Sequence, residues 1–146
     1  MNPPGHVLSG IVAAAGAGWL TGSLPAAGMV AAGAVLIDAD HLLDAWHRRW
    51  TVADLTGYFD RELPPRMVLP LHYWELWGGL GLLALAVPLP LLAALAAGAL
   101  LHLALDQCTN PVRWSGYFFV YRLATGFSYR ALLTPVEIAR REAGQR

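Results

Sequence analysis

The amino-acid sequence predicts an all-α fold, a four-helix transmembrane bundle with an interfacial, aromatic and Arg-rich C-terminal segment. Three observations carry this. The 146-residue chain is 56% hydrophobic and 14% charged, whereas an ordinary soluble domain is about a quarter charged. Four apolar stretches, residues 7–21, 25–43, 70–87 and 91–107, come close to the about 20 residues that cross a bilayer. Histidines and carboxylates gather at one end of each stretch: His6, Asp38-Ala-Asp40-His41, His72-x-x-Glu75 and His102-x-x-x-Asp106. Antiparallel helices alternate direction, so these four ends share one face, and residues 1–146 read as one membrane-embedded domain.

The first stretch has the length of a signal peptide but no basic n-region, and cleavage after it would discard His6, so it reads as a retained helix. Within it Gly10, Ala14, Gly18 and Gly22 recur every fourth residue. Such a ridge of small residues allows a neighbouring helix to approach closely; an Ala/Gly-rich composition produces the same pattern by itself. Residues 21–24 and 87–90 are short and uncharged and make tight turns on the side away from the cluster.

The opposite side receives every basic residue. Lysine is absent, and the ten arginines (Arg48, Arg49, Arg61 and Arg66 in the middle loop; Arg113, Arg122, Arg130, Arg140, Arg141 and Arg146 in the tail) all fall there. The positive-inside tendency then puts both termini and the cluster on the cytoplasmic side of a bacterial inner membrane. Trp46, Trp50, Trp74, Trp77 and Trp114 lie near the same boundary, as an interfacial aromatic belt would place them. A net charge of zero gives no reason to expect a nucleic-acid partner. The lone Cys108 excludes an internal disulfide framework.

Ionisable groups beside lipid are expensive, about 2.5–3.5 kcal/mol each at mid-membrane on insertion scales, so their convergence marks a functional site. On a helix Asp38 and His41 are three residues apart and Asp40 and Asp44 four apart, which presents carboxylate and imidazole on adjacent ridges. His102 and Asp106 lie one turn apart on an otherwise apolar helix, and His72 and Glu75 repeat the logic at a spacing of three. The candidate metal ligands are His6, Asp38, His41, His72, His102 and Asp106, with Glu75 and Asp40 as candidate catalytic carboxylates. His47, beside Arg48 and Arg49, reads as a solvated loop residue. The candidates exceed what one tetrahedral zinc needs, which implies two metals or one metal with supporting partners. Imidazole and carboxylate without thiolate suit zinc, iron or manganese.

These motifs also carry a family resemblance. A His near the N-terminus, Asp-x-Asp-His at residues 38–41, a His opening the third helix, and His-x-x-x-Asp-x-x-Thr from His102 to Thr109 resemble the membrane-bound metal-dependent hydrolases described as LexA-binding, inner-membrane-associated proteins. The resemblance covers roughly residues 5–110. That family has Pro before Asp-x-Asp-His where Ile37 stands here, and His-Arg-x-x-Thr-His-Ser where this chain reads Leu71-His72-Tyr73-Trp74-Glu75. Only the last His of that motif carries over, onto His72, with Glu75 as the replacement for a missing partner. The His-x-x-x-Asp pairing is also similar to one in zinc-dependent phospholipase C enzymes, which points toward phosphoesters.

Beyond Asn110, residues 111–146 interleave aromatic side chains with Arg113, Arg122 and Arg130, the pattern of a segment lying along headgroups. Those arginines suit bidentate binding of a substrate phosphate, or plain anchoring to anionic lipid. The expectation is a metal-dependent hydrolase acting on a phosphoester or lipid-like substrate, set against a metal-stapled membrane scaffold or binding protein that performs no chemistry. A metal-ion carrier is disfavoured because residues 79–87 and 91–101 are entirely apolar and offer no through-path.

The topology is open to test. Reporters fused at either terminus should be cytoplasmic, and labels at Ser23 or Leu89 should react from outside; protection of Ser23 with external labelling at Arg61 would invert the assignment.

Overall fold

A left-handed Gly22 (φ +64°) ends the first helix, α1 (Pro3–Thr21), and Ser23 opens the second by accepting the amide N–H of Ala26 at 3.3 Å. Glycine alone adopts that backbone without strain. The hydroxyl satisfies a helix-start donor, and Pro25 stands at the first turn of α2 (Leu24–Leu36), where its missing N–H is harmless. The computed structural model describes residues 3–47 and 65–144, and the side chains of 5–42, 46 and 65–144 within them. Arg48, Arg49, Trp50, Arg61, Arg146 and the greater part of the middle loop lie outside the described residues, as do the side chains of Asp44 and His47.

The second apolar stretch is not one helix. Its ladder stops at Leu36, a turn carries Ile37 and Asp38, and a separate helix α3 (Ala39–His47) follows. The third helix, α4 (Trp74–Ala86), starts four residues later than the apolar pattern suggests. Residues 65–73 run irregularly before it, tied down where Met67 donates to the Phe127 carbonyl at 2.9 Å and Leu71 donates to Asp40 Oδ2 at 2.9 Å. The fourth, α5 (Pro90–Thr109), is the longest at 20 residues, or about 30 Å. By length and composition it is the one described helix long and apolar enough to cross a membrane; α2 and α4 have 13 residues each, about 20 Å. The fold is therefore all-helical as expected, with no strand among the described residues, only isolated bridges at Arg66–Ser128 and Val112–Leu133.

Glycine sets how these helices meet. In α1, a side chain at Gly10 or Gly18 would press on Ala34 or Ala27 of α2 at 3.1 and 3.2 Å, so the small-residue ridge is a packing face. The tighter contact joins α2 and α5. A Cβ on Gly33 would overlap the Leu95 carbonyl, and one on Gly98 would overlap the Val30 carbonyl, so the two backbones touch directly. α4 packs on the other flank of α5.

The C-terminal segment does not lie apart along a surface, as its composition suggests. A 3-10 turn (Trp114–Tyr117) and helices α6 (Phe119–Ala124), α7 (Tyr129–Leu132) and α8 (Pro135–Gly144) fold back toward the cluster. Arg113 donates to the Leu132 carbonyl at 2.7 Å, Thr134 to the Pro111 carbonyl at 3.0 Å and Tyr129 to the Pro65 carbonyl at 3.1 Å. Tyr117, Tyr129, Leu132 and Leu133 thereby join Ile37, Met67, Leu69, Trp77 and Leu103 in the hydrophobic core. Trp77 is a core residue whose Nε1 donates to the Leu71 carbonyl at 2.7 Å, so it is not part of an interfacial belt; Trp46 and Trp114 are exposed.

Two substitutions check the α2–α5 contact. Gly98→Val should lower stability by about 1–3 kcal/mol or more, since the obstruction is backbone and cannot swing aside. Gly16→Ala, with nothing within 4 Å, should be neutral or stabilising by up to about 1 kcal/mol. Matching thermal unfolding of Gly98→Val and the parent would remove the contact from the account.

Candidate metal centre

Four separate elements deliver side chains to one point. α5 presents His102 and Asp106 one turn apart, the break between α2 and α3 presents Asp38, the irregular run before α4 presents His72, and α1 presents His6. His6, His72, His102 and Asp106 are all buried. Such concentrations of buried ionisable groups persist where charge is compensated locally.

The ring orientations are fixed by partners on the far side of each imidazole. His102 Nδ1 lies 2.8 Å from the Ala34 carbonyl oxygen, which only accepts, so Nδ1 carries the proton and donates it. His72 Nδ1 lies 3.0 and 3.1 Å from the two oxygens of Asp40 and donates likewise. Asp40, itself fully buried, also accepts from the Leu71 amide. This is the arrangement by which carboxylates and carbonyls orient metal-binding histidines. In both rings it turns Nε2 inward.

What those inner nitrogens face decides the chemistry. His102 Nε2 lies 3.4 Å from Asp38 Oδ1 and 3.6 Å from Asp106 Oδ2; His72 Nε2 lies 3.6 and 3.7 Å from the same two atoms. Neither inner nitrogen has a hydrogen-bond partner among the described residues. A charge-assisted N–H···O bond would be about 2.7–2.9 Å, so these separations are too long for hydrogen bonds. They match something else. The edge of a tetrahedron is about 1.6 times the distance from centre to corner, so metal bonds of about 2.0–2.2 Å require edges of about 3.3–3.6 Å. By contrast His6 Nε2 meets Asp106 Oδ1 at 3.0 Å, an ordinary hydrogen-bond distance, and its ring stacks on His102 at 4.0 Å. Asp106 thus turns one oxygen to the centre and the other to His6. Buried His and Asp groups at this point can hold a metal ion, including Asp38 with His72 and His102, whose donor atoms lie within 4.8 Å of one another.

Burial and charge act in opposite directions here. For His72, burial favours the neutral ring, but contact with Asp38 and then Asp40 outweighs it and raises the pKa above the usual histidine value. Burial would raise the Asp38 carboxyl, yet His102 and His72 hold it below the carboxylate range. His41, edge-on to His72 at 4.7 Å with Nε2 3.9 Å from Asp38, is pushed down to about 4 by burial and by His72. A cation and protons therefore compete for the same nitrogens.

All six residues expected as ligands, His6, Asp38, His41, His72, His102 and Asp106, meet in this cluster. Asp40 reaches it too, but as the partner that orients His72. Glu75 does not. Its spacing from His72 placed both on one helix face, whereas His72 precedes the helix and Glu75 is exposed, accepting the amides of Phe119 and Val120 at 2.9 and 3.3 Å. Of the three arginines expected near a substrate, only Arg122 is buried here; Arg113 donates through Nε to the Leu133 carbonyl, and Arg130 pairs with Glu142 at the surface. The sequence reading missed Tyr117, whose hydroxyl reaches Asp106 Oδ2 at 3.4 Å and accepts from Asn110 at 2.9 Å. It also missed the Ala34 carbonyl. Neither carries a sequence signal, since one is a lone aromatic in an aromatic-rich tail and the other is backbone.

No protein-family model, curated protein or solved structure matches this chain.

Purified protein should contain stoichiometric transition metal by elemental analysis. His72→Ala and His102→Ala should lose most of it, while Asp40→Asn should weaken binding by about 10–100-fold through the loosened His72 ring. Arg113→Ala should change nothing. Affinity should begin to fall above the ordinary histidine range as pH drops, because His72 holds its proton to higher pH than a free imidazole and must shed it to bind metal. Full metal retention by both histidine variants would dissolve the centre.

Proposed function

We propose that this protein is a membrane-embedded, metal-dependent hydrolase with a cytoplasm-facing His/Asp site acting on a phosphoester or lipid-like substrate. One observation carries the reading: two buried imidazoles, each locked by its outer nitrogen, aim their inner nitrogens at two carboxylates across distances suited to a shared cation. His72, His102 and Asp106 form the buried part of the shell, two histidines and one carboxylate, a set used by catalytic zinc. Tetrahedral edges with nitrogen and oxygen donors favour zinc over iron or manganese. The motif resemblance to membrane-bound metal-dependent hydrolases supports the same reading.

Asp38 differs from its neighbours. Its side chain is 38% exposed, against 1% for His72 and His102 and 4% for Asp106. It stands on the open side of the shell, where substrate and water arrive. A divalent cation held by His72, His102 and Asp106 would supply Lewis acidity, acidifying water and polarising a phosphoryl oxygen. Asp38 then accepts the proton of the attacking water, the role that sequence spacing assigns to Glu75, and Asp40 keeps His72 in register rather than reacting.

The distribution of polarity supports embedding in lipid. The polar groups are inside, and the outer faces of the helices expose Leu8, Val12, Trp19, Leu20, Leu24, Leu82 and Leu85. Exposed apolar area of that extent marks a membrane or protein contact. α5 is long enough to span, α1, α2 and α4 pack around it, and the amphipathic α3 exposes Leu42 and Trp46 where an interfacial helix would meet headgroups.

A second reading has its own observation: four protein donors at tetrahedral spacing make a closed shell, the form of a structural metal staple. Asp38→Asn separates the two. In an enzyme this variant retains metal and fold but loses roughly 100-fold or more in phosphoesterase turnover. In a staple it loses metal and melts earlier, with no metal-dependent turnover in the parent on phosphomonoesters, phosphodiesters or phospholipids. Glu75→Gln should leave turnover within about twofold, because its carboxylate serves the Phe119 and Val120 amides; a large loss would return the base to Glu75.

A further inference from the structure

Beside the metal centre, the wall supplied by the C-terminal segment holds a buried cation. Arg122 on α6 is buried, its Nε donates to the Gly116 carbonyl at 2.6 Å, and its guanidinium lies 5.5 Å from the Tyr73 ring and 5.8 Å from the Tyr117 ring. Backbone bond and aromatic faces together fix the plane of the fork. A guanidinium so held loses little further freedom on binding. It lines a cavity of about 20 Å³ together with His41, His72, Asp106 and Tyr117. Apart from Tyr129 the remaining walls are apolar, Met67, Leu69, Val112 and Leu132, so charges meet there with little screening.

Resting on the hydrolase reading above, we infer that Arg122 is the oxyanion receptor of this site, binding a phosphoryl oxygen of the substrate while the metal centre engages the same group. Three features point to an anionic phosphoester rather than a neutral ester. The cavity opens between a fixed guanidinium and the donors of a cation site, two positive poles suited to one shared anion. Its volume admits one or two oxygen atoms, so the rest of the substrate stays outside. Of the three tail arginines expected near a phosphate, Arg122 is the one that lines this cavity.

The test measures phosphate binding separately from turnover. Metal-loaded full-length protein in detergent is titrated calorimetrically with inorganic phosphate, with metal content and melting temperature recorded for each variant. Arg122→Gln should bind phosphate about 10-fold or more weakly at unchanged metal content, the scale of a lost charge-assisted hydrogen bond. Arg122→Lys, which keeps the charge but not the flat fork, should fall between. Unchanged phosphate affinity in Arg122→Gln, with metal retained, overturns the inference and leaves the hydrolase reading standing. No phosphate binding by metal-loaded parent protein also overturns it. Absence of metal from the parent overturns both. Should Arg122→Gln not fold, the Lys variant decides, and affinity equal to the parent overturns the assignment. Repeating the titration with glycerol phosphate and with micellar short-chain phosphatidic acid distinguishes a soluble source of the phosphoryl group from a lipid headgroup, and Arg122→Gln must weaken whichever binds more tightly.

Discussion

Backbone contact between α2 and α5, at Gly33 and Gly98, sets the distance on which the candidate metal centre depends. The contact places the Ala34 carbonyl, one residue after Gly33, against Nδ1 of His102, one turn after Gly98. A helix end at Leu36 next to that crossing then puts Asp38 within 3.4 Å of His102 Nε2. A side chain at either glycine would push the helices apart by more than the margin within which a cation can be shared. Two residues with no chemistry of their own therefore govern the ligand geometry.

The second constraint is electrostatic. Three imidazoles and two carboxylates are fully or nearly fully buried around His102, a grouping that would be costly without compensation. Part of the compensation is visible: the Ala34 carbonyl, the Leu71 amide and the His6–Asp106 contact each satisfy an outward-facing atom, and Tyr117 donates to the inner oxygen of Asp106. What stays toward the middle is two nitrogens and two oxygens, a donor set that could hold a divalent cation. Protons satisfy them only pairwise and at shorter distances than those observed.

The C-terminal segment completes the centre from the side that the four apolar helices leave uncovered. Its 3-10 turn supplies Tyr117, α6 supplies Arg122, and the Thr134–Pro111 and Tyr129–Pro65 hydrogen bonds hold it against the ends of α5 and the run before α4. Glu75 takes part as an anchor: its carboxylate receives the first amides of α6, the helix that carries Arg122. α8 is braced internally, with Glu137 bonded to both Arg140 and Arg141. The segment reads as aromatic and basic because it brings Tyr117 and Arg122 to the cavity on one side and exposes Trp114, Val120 and Leu123 on the other.

By itself the sequence determined the helical class, the apolar segments and the ligand types. Charges confined to one end of each apolar run leave few other arrangements, and His102–Asp106 at one-turn spacing needs nothing beyond helix geometry. Spacing rules held where the helix was real and failed where it was not. His72 and Glu75 were paired by a periodicity that starts only at Trp74, whereas Asp38 and His41, three apart at the start of α3, do meet at 3.9 Å. Tertiary structure decided the former case, because a long-range bond from Asp40 to Leu71 and His72, 31 and 32 residues away, stabilises an irregular segment that no local pattern encodes. It also decided that Asp40 orients while Asp38 faces the open side, and that one arginine of three reaches the cavity. Such assignments depend on which backbone atoms meet across helices, and a sequence read along its own length does not contain those distances.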